Sequence, residues 1–213
     1  KSLGMNIHSY NVDGEPVICE KGELVCVTPF PSAPIYFWND PGGDKYKNAY
    51  FNKFPNIWTH GDFIEITNRG GVVVYGRSDT VLNPGGIRIG TSEIYRPVEE
   101  MIEILDSLVI AQPWGCDVRI VLFVVLRDNL KLEAELKEKI KNIIRKENTP
   151  RHVPAKILAV QEIPRTISGK KVEKAVLQAV KGEKIENKSA LLNPKSLDYF
   201  INLRDGLSQK TKI

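Results

Sequence analysis

The change of pattern after residue 78 is the feature that most constrains the fold of this 213-residue chain. Before that point, short apolar runs are separated by turn signals such as Asn68–Gly71, which is typical of antiparallel strands. After it, apolar strands alternate with segments that carry one apolar face at helical spacing. We therefore predict an α+β chain with a β-rich unit at residues 1–78 and a compact α+β unit at residues 79–213.

The apolar pattern also predicts the individual elements of both units. Strands are expected on either side of a Lys21-Gly22 turn and on either side of the Asn68–Gly71 turn. Residues 30–43 are rich in proline and turn residues and are expected to be irregular, and the polar residues 181–195 are expected to wrap the surface. The predicted strands are 15–20, 23–28, 57–66, 72–75, 108–111, 119–126 and 157–163, and the predicted helices are 92–105, 132–146 and 172–180.

Composition excludes several classes of protein. Hydrophobic residues make up 42% and charged residues 26% of the chain, and no apolar run approaches the roughly 20 residues of a membrane span. The first residues lack the apolar core of a signal peptide, so we expect a cytoplasmic location. Residues 165–213 are basic, but aromatic residues do not interleave with the lysines, which argues against nucleic-acid binding.

Cys19, Cys26 and Cys116 form no CxxC pair and are expected to be buried thiols, and the scattered histidines predict no metal site.

A short polar loop in the last third presents one lysine. The segment Pro164–Lys170 reads PRTISGK and follows an apolar run that predicts a strand. Gly169 removes side-chain bulk beside Lys170, and Thr166 and Ser168 offer local hydrogen bonds that hold the loop. An ammonium so placed can stabilise negative charge that develops on a carboxylate or phosphate oxygen. The alternative is a solvated lysine in front of a helix.

Two further segments place charged residues near the ends of predicted strands. Asp62 offers two acceptor oxygens that suit a vicinal diol such as a ribose, and Arg77 offers a planar set of donors for hydroxyls or phosphate. Each also fits an ordinary role, Asp62 as a turn residue and Arg77 in a surface ion pair. In the loop at 83–88, paired glycines allow close approach of the backbone to a ligand, and Arg88 could meet a phosphate or a carboxylate. That loop could equally be a plain turn between two strands.

Three motifs in this order resemble a known family. They are WTHGD at 58–62, GRSDTVLNPGGIRIGTSEIY at 76–95 and PRTISGK at 164–170. Together they resemble the late motifs of the AMP-forming acyl-CoA synthetases, which are adenylate-forming enzymes. The resemblance covers nearly the whole chain and implies that residues 1–78 end the large AMP-binding domain. Residues 79–213 would then be the small mobile C-terminal domain.

The resemblance also implies roles in a first, adenylating step. Asp62 would bind the ribose of ATP, and Arg77 would bind the ribose or phosphate side of the nucleotide. Asp79 would be the hinge about which the small domain rotates. Lys170 would bridge the substrate carboxylate and the α-phosphate, with Mg²⁺ on the phosphates of ATP.

The same resemblance implies roles in a second step, in which the CoA thiol attacks the acyl-adenylate. Gly86 and Arg88 would line the site in the thioester-forming conformation, and Arg145 would contact a phosphate of CoA. Within the family, longer segments such as the tail LLNPKSLDYF resemble the members that activate acetoacetate. The phosphate loop and the acid pocket of the family would precede residue 1, so the chain is expected to be the last third of the enzyme, to depend on its upstream part and to be inactive in adenylation alone.

Two other functions stay open at this point. The same chemistry on acetate or propionate would use the same motifs, because the acid pocket is expected upstream. A non-catalytic module that binds a ligand or a partner would keep the fold but would have no use for a lysine in a glycine-flanked turn. His60 is expected to be a packed strand residue, with a position beside the nucleotide as the alternative.

Overall fold

The computed structural model describes residues 3–127, 130–185 and 188–208. Contacts divide the chain into an N-terminal unit, residues 1–79, and a C-terminal unit, residues 80–213. The division falls between Asp79 and Thr80, within a 3₁₀ turn at Ser78–Thr80, and therefore one residue after the boundary expected from sequence. Both units combine sheets with helices, which confirms the α+β class.

The N-terminal unit is built on an antiparallel sheet. Its strands are β1 (Ile7–Tyr10), β2 (Pro16–Val17), β3 (Lys21–Cys26), β4 (Trp58–Ile66) and β5 (Val72–Arg77), in the spatial order β2-β1-β3-β4-β5. The strands predicted at 57–66 and 72–75 are thus confirmed, with β5 two residues longer. The side chains of Val25, Phe63 and Ile64 are almost completely buried and form the core of this unit.

The hairpin predicted around Lys21-Gly22 is wrong. Both residues lie inside β3, and β2 pairs with β1 rather than with β3. The missed strand β1 lies between them in the sheet, with Ser9 opposite Val17 on one side and Leu24 on the other. Gly22 is needed in the strand for a different reason, since a Cβ there would lie 2.4 Å from the carbonyl oxygen of Tyr10.

A short helix that the sequence did not indicate follows the irregular segment. This helix, α1 (Asp44–Tyr50), begins where the carboxylate of Asp40 accepts the amide hydrogens of Lys45 and Tyr46 at 3.1 and 2.9 Å. Tyr50 stacks on Trp58 of β4 with ring centroids 3.7 Å apart. An aspartate that caps amides from just outside the helix, together with aromatic packing, stabilises a segment whose own helical pattern is too short to detect.

The C-terminal unit is a three-stranded mixed sheet. Strands β6 (Ile104–Trp114) and β7 (Asp117–Leu126) form an antiparallel hairpin, and β8 (Lys156–Ala159) pairs parallel to β7. Helices α2 (Thr91–Glu99) and α3 (Ala134–Glu147) pack through Ile94, Val98, Ile140 and Ile144 into one core cluster, which includes the Val109 and Leu122 side of the sheet. Residues 120–124 of β7 are all buried, as expected for a central strand covered on both faces.

A second core cluster covers the other side of this sheet. It combines Leu108 and Phe123 with residues of three helices, α4 (Glu173–Lys181), α5 (Ser196–Asn202) and α6 (Arg204–Ser208). Phe123 and Phe200 meet edge to face with centroids 5.0 Å apart. The sequence did not indicate helices α5 and α6. Leu191 lies within the segment that was expected to wrap the surface, but its side chain is only 8% exposed and joins this core.

Several predicted boundaries change in the C-terminal unit. The predicted helix 92–105 ends at Glu99, and Ile104 and Leu105 already belong to β6, while Ile102 is 77% exposed. The strand expected at 157–163 ends at Ala159. The helices predicted at 132–146 and 172–180 are confirmed as α3 and α4 within two residues at each end.

The cysteines are only partly as expected. Cys26 is buried, whereas Cys19 and Cys116 are exposed, and all three are free thiols. Cys19 and Cys116 lie outside the cores because each occupies a turn, before β3 and between β6 and β7. Among the described residues, no helix is long and apolar enough to cross a membrane.

Candidate functional site

Asp62 and Arg77 are brought together by the pairing of β4 with β5. They are direct partners across the two strands, and Arg77 Nη1 lies 3.7 Å from Asp62 Oδ1. Arg77 is the last residue of β5, but Asp62 lies in the middle of β4 and not near its end as expected. The register shifts between Phe63 and Ile64, so β5 carries a bulge at Tyr75, two residues before Arg77. Bulges re-aim side chains next to functional sites, and here the pair leaves half of Arg77 accessible.

Gly61 makes room for this pair. Its φ is +80°, and a Cβ on it would lie 2.6 Å from Nη2 and 2.9 Å from Nη1 of Arg77. The guanidinium therefore lies directly over the glycine, where Nη1 donates a hydrogen bond of 3.0 Å to the carbonyl oxygen of His60. The sequence motif WTHGD thus needs its glycine for both backbone conformation and space.

His60 is exposed, so its prediction as a packed strand residue is wrong. Alternation along β4 turns its side chain away from the core that holds Thr59, and 45% of it is accessible. Its Nδ1 accepts a hydrogen bond of 3.2 Å from Nε1 of Trp58, and its Nε2 lies 3.6 Å from Oδ2 of Asp62. The imidazole therefore lines the same exposed face as Asp62.

Asp79, the expected hinge, lies beside Arg77 at the division between the two units. Its side chain is half exposed, and its Oδ1 lies 3.6 Å from Nε of Arg77. The preceding Ser78 donates a hydrogen bond of 2.8 Å to Oε1 of Glu23, whose other oxygen pairs with Lys53 at 2.5 Å. Glu23 is only 2% exposed and was missed from sequence, where GEL within an apolar run gives no sign of a buried carboxylate. It ties the residue before the expected hinge to the sheet of the N-terminal unit.

The glycine-rich loop of the C-terminal unit is closed at its base. Leu82 and Ile89 exchange two backbone hydrogen bonds of 2.9 and 2.8 Å across a 3₁₀ turn at Pro84–Gly86. The amide of Gly85 donates to Oδ2 of Asp117 at 2.8 Å, which ties the loop to the β6–β7 hairpin. Gly86 has a φ of +78°.

The space around Gly86 is open, and Arg88 lies on the surface. A Cβ on Gly86 would meet nothing within 4 Å, and the side chain of Arg88 is exposed. The loop is therefore a short turn closed by the Leu82–Ile89 bridge, with open space over the backbone of Gly86. This geometry is compatible with a ligand-binding loop and with a plain turn.

Lys170 lies at the end of a hydrogen-bonded turn, and its side chain is exposed. The amide of Thr166 donates to the carbonyl oxygen of Lys170 at 2.8 Å, and the amide of Lys170 donates back to Oγ1 of Thr166 at 3.0 Å. Thr166 Oγ1 also lies 3.0 Å from the hydroxyl of Ser168, and Gly169 has a φ of +84°. The expected local role of Thr166 and Ser168 is therefore confirmed.

A partly buried tyrosine lies under the residue that follows Lys170. Lys171 Nζ is 3.9 Å from the ring centroid of Tyr95, whose hydroxyl donates to Oε1 of Glu173 at 2.8 Å. Burial, followed by the negative charge of Glu173, raises the pKa of Tyr95 well above its ordinary value. Tyr95 therefore stays a neutral donor at physiological pH, with its hydroxyl also accepting the amide of Val109.

Arg145 lies on the exposed face of α3 and donates a hydrogen bond of 2.7 Å to Asn142 one turn earlier. The structure thus groups Asp62, Arg77 and Asp79 in the N-terminal unit. It puts Gly86 and Arg88 on one loop of the C-terminal unit, with Arg145 and Lys170 on two other elements. Residues 3–127, 130–185 and 188–208 contain no group of three or more His, Cys, Asp or Glu that could hold a metal ion.

Comparison with known proteins identifies what this arrangement resembles. Residues 103–170 match the AMP-binding enzyme C-terminal domain. The chain is 55% identical over 95% of its length to acetoacetyl-coenzyme A synthetase of Rhizobium meliloti and 48% identical over 95% to that of Xenopus tropicalis. It spans 31% and 30% of the length of these two relatives. The solved acetoacetyl-CoA synthetase of Streptomyces lividans superimposes with a TM-score of 0.90 at 39% identity, over 97% of this chain and 32% of that one.

Proposed function

We propose that this chain, a member of the AMP-forming acyl-CoA synthetase family, is the C-terminal part of an enzyme that activates acetoacetate with ATP and transfers the acyl group to CoA. The observation that carries the proposal is its 55% identity, over 95% of its length, to a protein named acetoacetyl-coenzyme A synthetase. In the first half-reaction, a carboxylate oxygen of acetoacetate attacks the α-phosphorus of ATP and displaces pyrophosphate. In the second, the CoA sulfur attacks the acyl carbon, the thiol proton is released and AMP leaves.

Residues 1–79 would hold the nucleotide. Asp62 would accept hydrogen bonds from the ribose hydroxyls, and the accessible half of Arg77 would donate to the ribose or to phosphate. Two features support these roles: the space at Gly61 that the guanidinium occupies, and the strand register that places Arg77 directly opposite Asp62. Mg²⁺ would arrive bound to the phosphates of ATP.

Residues 80–213 would act in both half-reactions. Lys170 would stabilise the negative charge that the carboxylate and the α-phosphate share during adenylation, and its exposed position at a rigid turn supports that role. After rotation about Asp79, the loop with Gly86 and Arg88 would face the acyl-adenylate, and Arg145 would bind a phosphate of CoA. The open space around Gly86 would let the substrate chain pass close to the backbone.

The compartment proposed for this enzyme is the cytoplasm. Its three cysteines are all free, and two of them are exposed, which fits a reducing environment.

Acid-dependent exchange between ATP and pyrophosphate tests the proposal directly. The assay uses the full-length protein that contains this chain and compares acetoacetate, acetate and propionate. We expect exchange with acetoacetate, and we expect Lys170→Ala to lower it by about 10²- to 10³-fold, which is the usual effect of removing one transition-state donor. Thioester formation from supplied acetoacetyl-adenylate should largely survive in the same variant.

Each other outcome would change the conclusion. Exchange with acetate or propionate alone would keep the mechanism and discard the substrate. The absence of exchange with every acid would favour a non-catalytic binding module instead. Full exchange in Lys170→Ala would remove that residue from the chemistry.

A further inference from the structure

The loop that carries Lys170 is anchored at both ends, and both anchors reach Asp106, which lies outside the three motifs. Arg165 and Lys171 form an isolated antiparallel bridge that closes the loop 166–170. The side chains of these two residues extend in the same direction, toward strand β6. They meet there on one carboxylate, that of Asp106.

Arg165 makes the more specific of the two contacts. Its Nη2 lies 2.6 Å from Oδ2 of Asp106, and its Nη1 donates a hydrogen bond of 2.6 Å to the carbonyl oxygen of Gly169. One planar guanidinium thus connects β6 to the peptide that precedes Lys170. A lysine at position 165 could not reproduce this geometry, because an ammonium lacks the rigid pair of donors.

Lys171 holds the other end of the loop. Its Nζ lies 3.2 Å from Oδ1 of Asp106, pairs with Glu99 of α2 and sits over the ring of Tyr95. The two oxygens of Asp106 therefore bind one end of the loop each. The amide of Ser107 donates to Oδ1 at 2.8 Å and fixes the orientation of the carboxylate.

A β-bulge brings Asp106 to this position. The register between β6 and β7 shifts so that Ile104 opposes Leu126 and Asp106 opposes Val125, which leaves Leu105 as an extra residue. Ile104 packs with the α2–α3 side of the sheet, whereas Leu108 packs with the α4–α5 side. Asp106 shares the side of Leu108, and Ile163, which leads into the Lys170 loop, belongs to the same cluster.

We propose that Arg165 and Asp106 form a positioning pair that fixes the direction in which Lys170 is presented. This inference rests on the proposed role of Lys170 in adenylation. The two side chains are 34% and 20% exposed, so an ion pair of this kind adds little to global stability. Its specific effect is local, because the same guanidinium also holds the carbonyl next to Lys170. A displacement of about 1 Å at a catalytic group costs on the order of 10²-fold in rate.

The test compares the two half-reactions in the full-length protein. The variants are Arg165→Gln, Asp106→Asn and the double variant, with Lys170→Ala as the reference for complete loss. Arg96→Gln is the matched control, because Arg96 makes a more exposed ion pair with Glu100, four residues along the chain, and not with Asp106. We expect each single variant to lower acetoacetate-dependent pyrophosphate exchange by about 10- to 100-fold. Thioester formation from supplied acetoacetyl-adenylate should change by less than about 2-fold, and Arg96→Gln should match the wild type.

Two further readouts separate positioning from a general structural role. The double variant should be no slower than the slower single variant, because the two residues act as one unit. Hydrogen exchange of the amides of Thr166, Gly169 and Lys170 should accelerate in both single variants, while exchange in α3 stays as in the wild type. That pattern, together with an unchanged thermal midpoint, supports the proposal that Arg165 and Asp106 position Lys170.

Three results would overturn the inference. The first is wild-type exchange of pyrophosphate in Arg165→Gln and Asp106→Asn while Lys170→Ala is inactive, which would leave the proposed function standing. The second is an equal loss in both half-reactions with faster hydrogen exchange throughout the C-terminal unit. The third is an active Lys170→Ala, which would remove the proposed catalytic role and the positioning role together.

Discussion

Replacing Gly61 by alanine tests whether the space that this glycine leaves for the Arg77 guanidinium is needed for nucleotide binding. An added Cβ would lie 2.6 Å from Nη2 of Arg77, whereas non-bonded heavy atoms prefer about 3.5 Å or more. The guanidinium would therefore have to move by about 1 Å. That movement would stretch its 3.0 Å hydrogen bond to the carbonyl oxygen of His60 beyond useful length and would turn the donors away from Asp62.

The free-energy cost of Gly61→Ala has two parts, one in stability and one in nucleotide affinity, and they can be measured separately. The φ of +80° makes any residue with a Cβ unfavourable here by about 1–2 kcal/mol, which lowers stability but not affinity. A misdirected charged hydrogen bond to the nucleotide costs about 1.5–3 kcal/mol, and every 1.4 kcal/mol is tenfold in affinity. Since the flexible Arg77 side chain can recover part of the contact, we expect the Kd for ATP to rise by about 10-fold.

Gly70→Ala is the matched control in the same unit. Gly70 has a φ of +77°, but a Cβ on it would meet nothing within 4 Å. Both variants should therefore lower the thermal midpoint of the full-length protein to a similar extent. Only Gly61→Ala should weaken ATP binding, as measured by equilibrium titration. Equal Kd values in the two variants would refute the argument, whether both were raised or both were unchanged.

Three further predictions follow from the site. Asp79→Pro fixes φ near −65° at the proposed hinge and should slow at least one half-reaction by about 10-fold or more in separate assays; a variant with both intact would contradict the hinge. Arg145→Ala should raise the KM for CoA by about 10-fold, because the exposed guanidinium would no longer bind a CoA phosphate. Pyrophosphate exchange should not change, since Arg145 contacts Asn142 of its own helix, and slower exchange would argue against a role confined to CoA. The pKa of Tyr95 is raised in the folded state, so its hydroxyl stays protonated to a higher pH than in the unfolded chain. The free energy of unfolding should therefore fall as the pH rises above about 10. Tyr95→Phe should flatten that alkaline decline in thermal midpoint, and an unchanged slope would show that other groups cause it.

Much of the fold was predictable because the pattern was locally consistent. The central strand β7 is a continuous apolar run and helix α3 carries one apolar face at helical spacing, and both were confirmed. The helix predicted at 92–105 ran too far because Ile102 and Leu105 continue the helical spacing, although both are exposed. Leu105 is the extra residue of a bulge, and a bulge breaks the period-two pattern by which a strand is recognised.

The contacts that support the predicted site residues could not be predicted from the sequence. Lys170, Asp62 and Arg77 stand in short motifs that a sequence displays directly. The contacts of Glu23 with Ser78 and of Asp106 with Arg165 join residues 55 and 59 positions apart, and no local pattern signals them. Long-range polar contacts of this kind depend on strand register, which a single sequence does not reveal.

The order of pairing in the C-terminal sheet has a consequence for folding kinetics. The β6–β7 hairpin closes through a two-residue turn and needs only local contacts, whereas β8 pairs parallel to β7 across a connection that contains α3. Loop-closure entropy delays such non-local pairing. Asp106 belongs to the local hairpin, whereas Arg165 follows β8, so we expect their ion pair to form late, together with the β7–β8 pairing. A chain that stalls before this last step would carry every motif in its sequence and still present Lys170 on an unanchored loop.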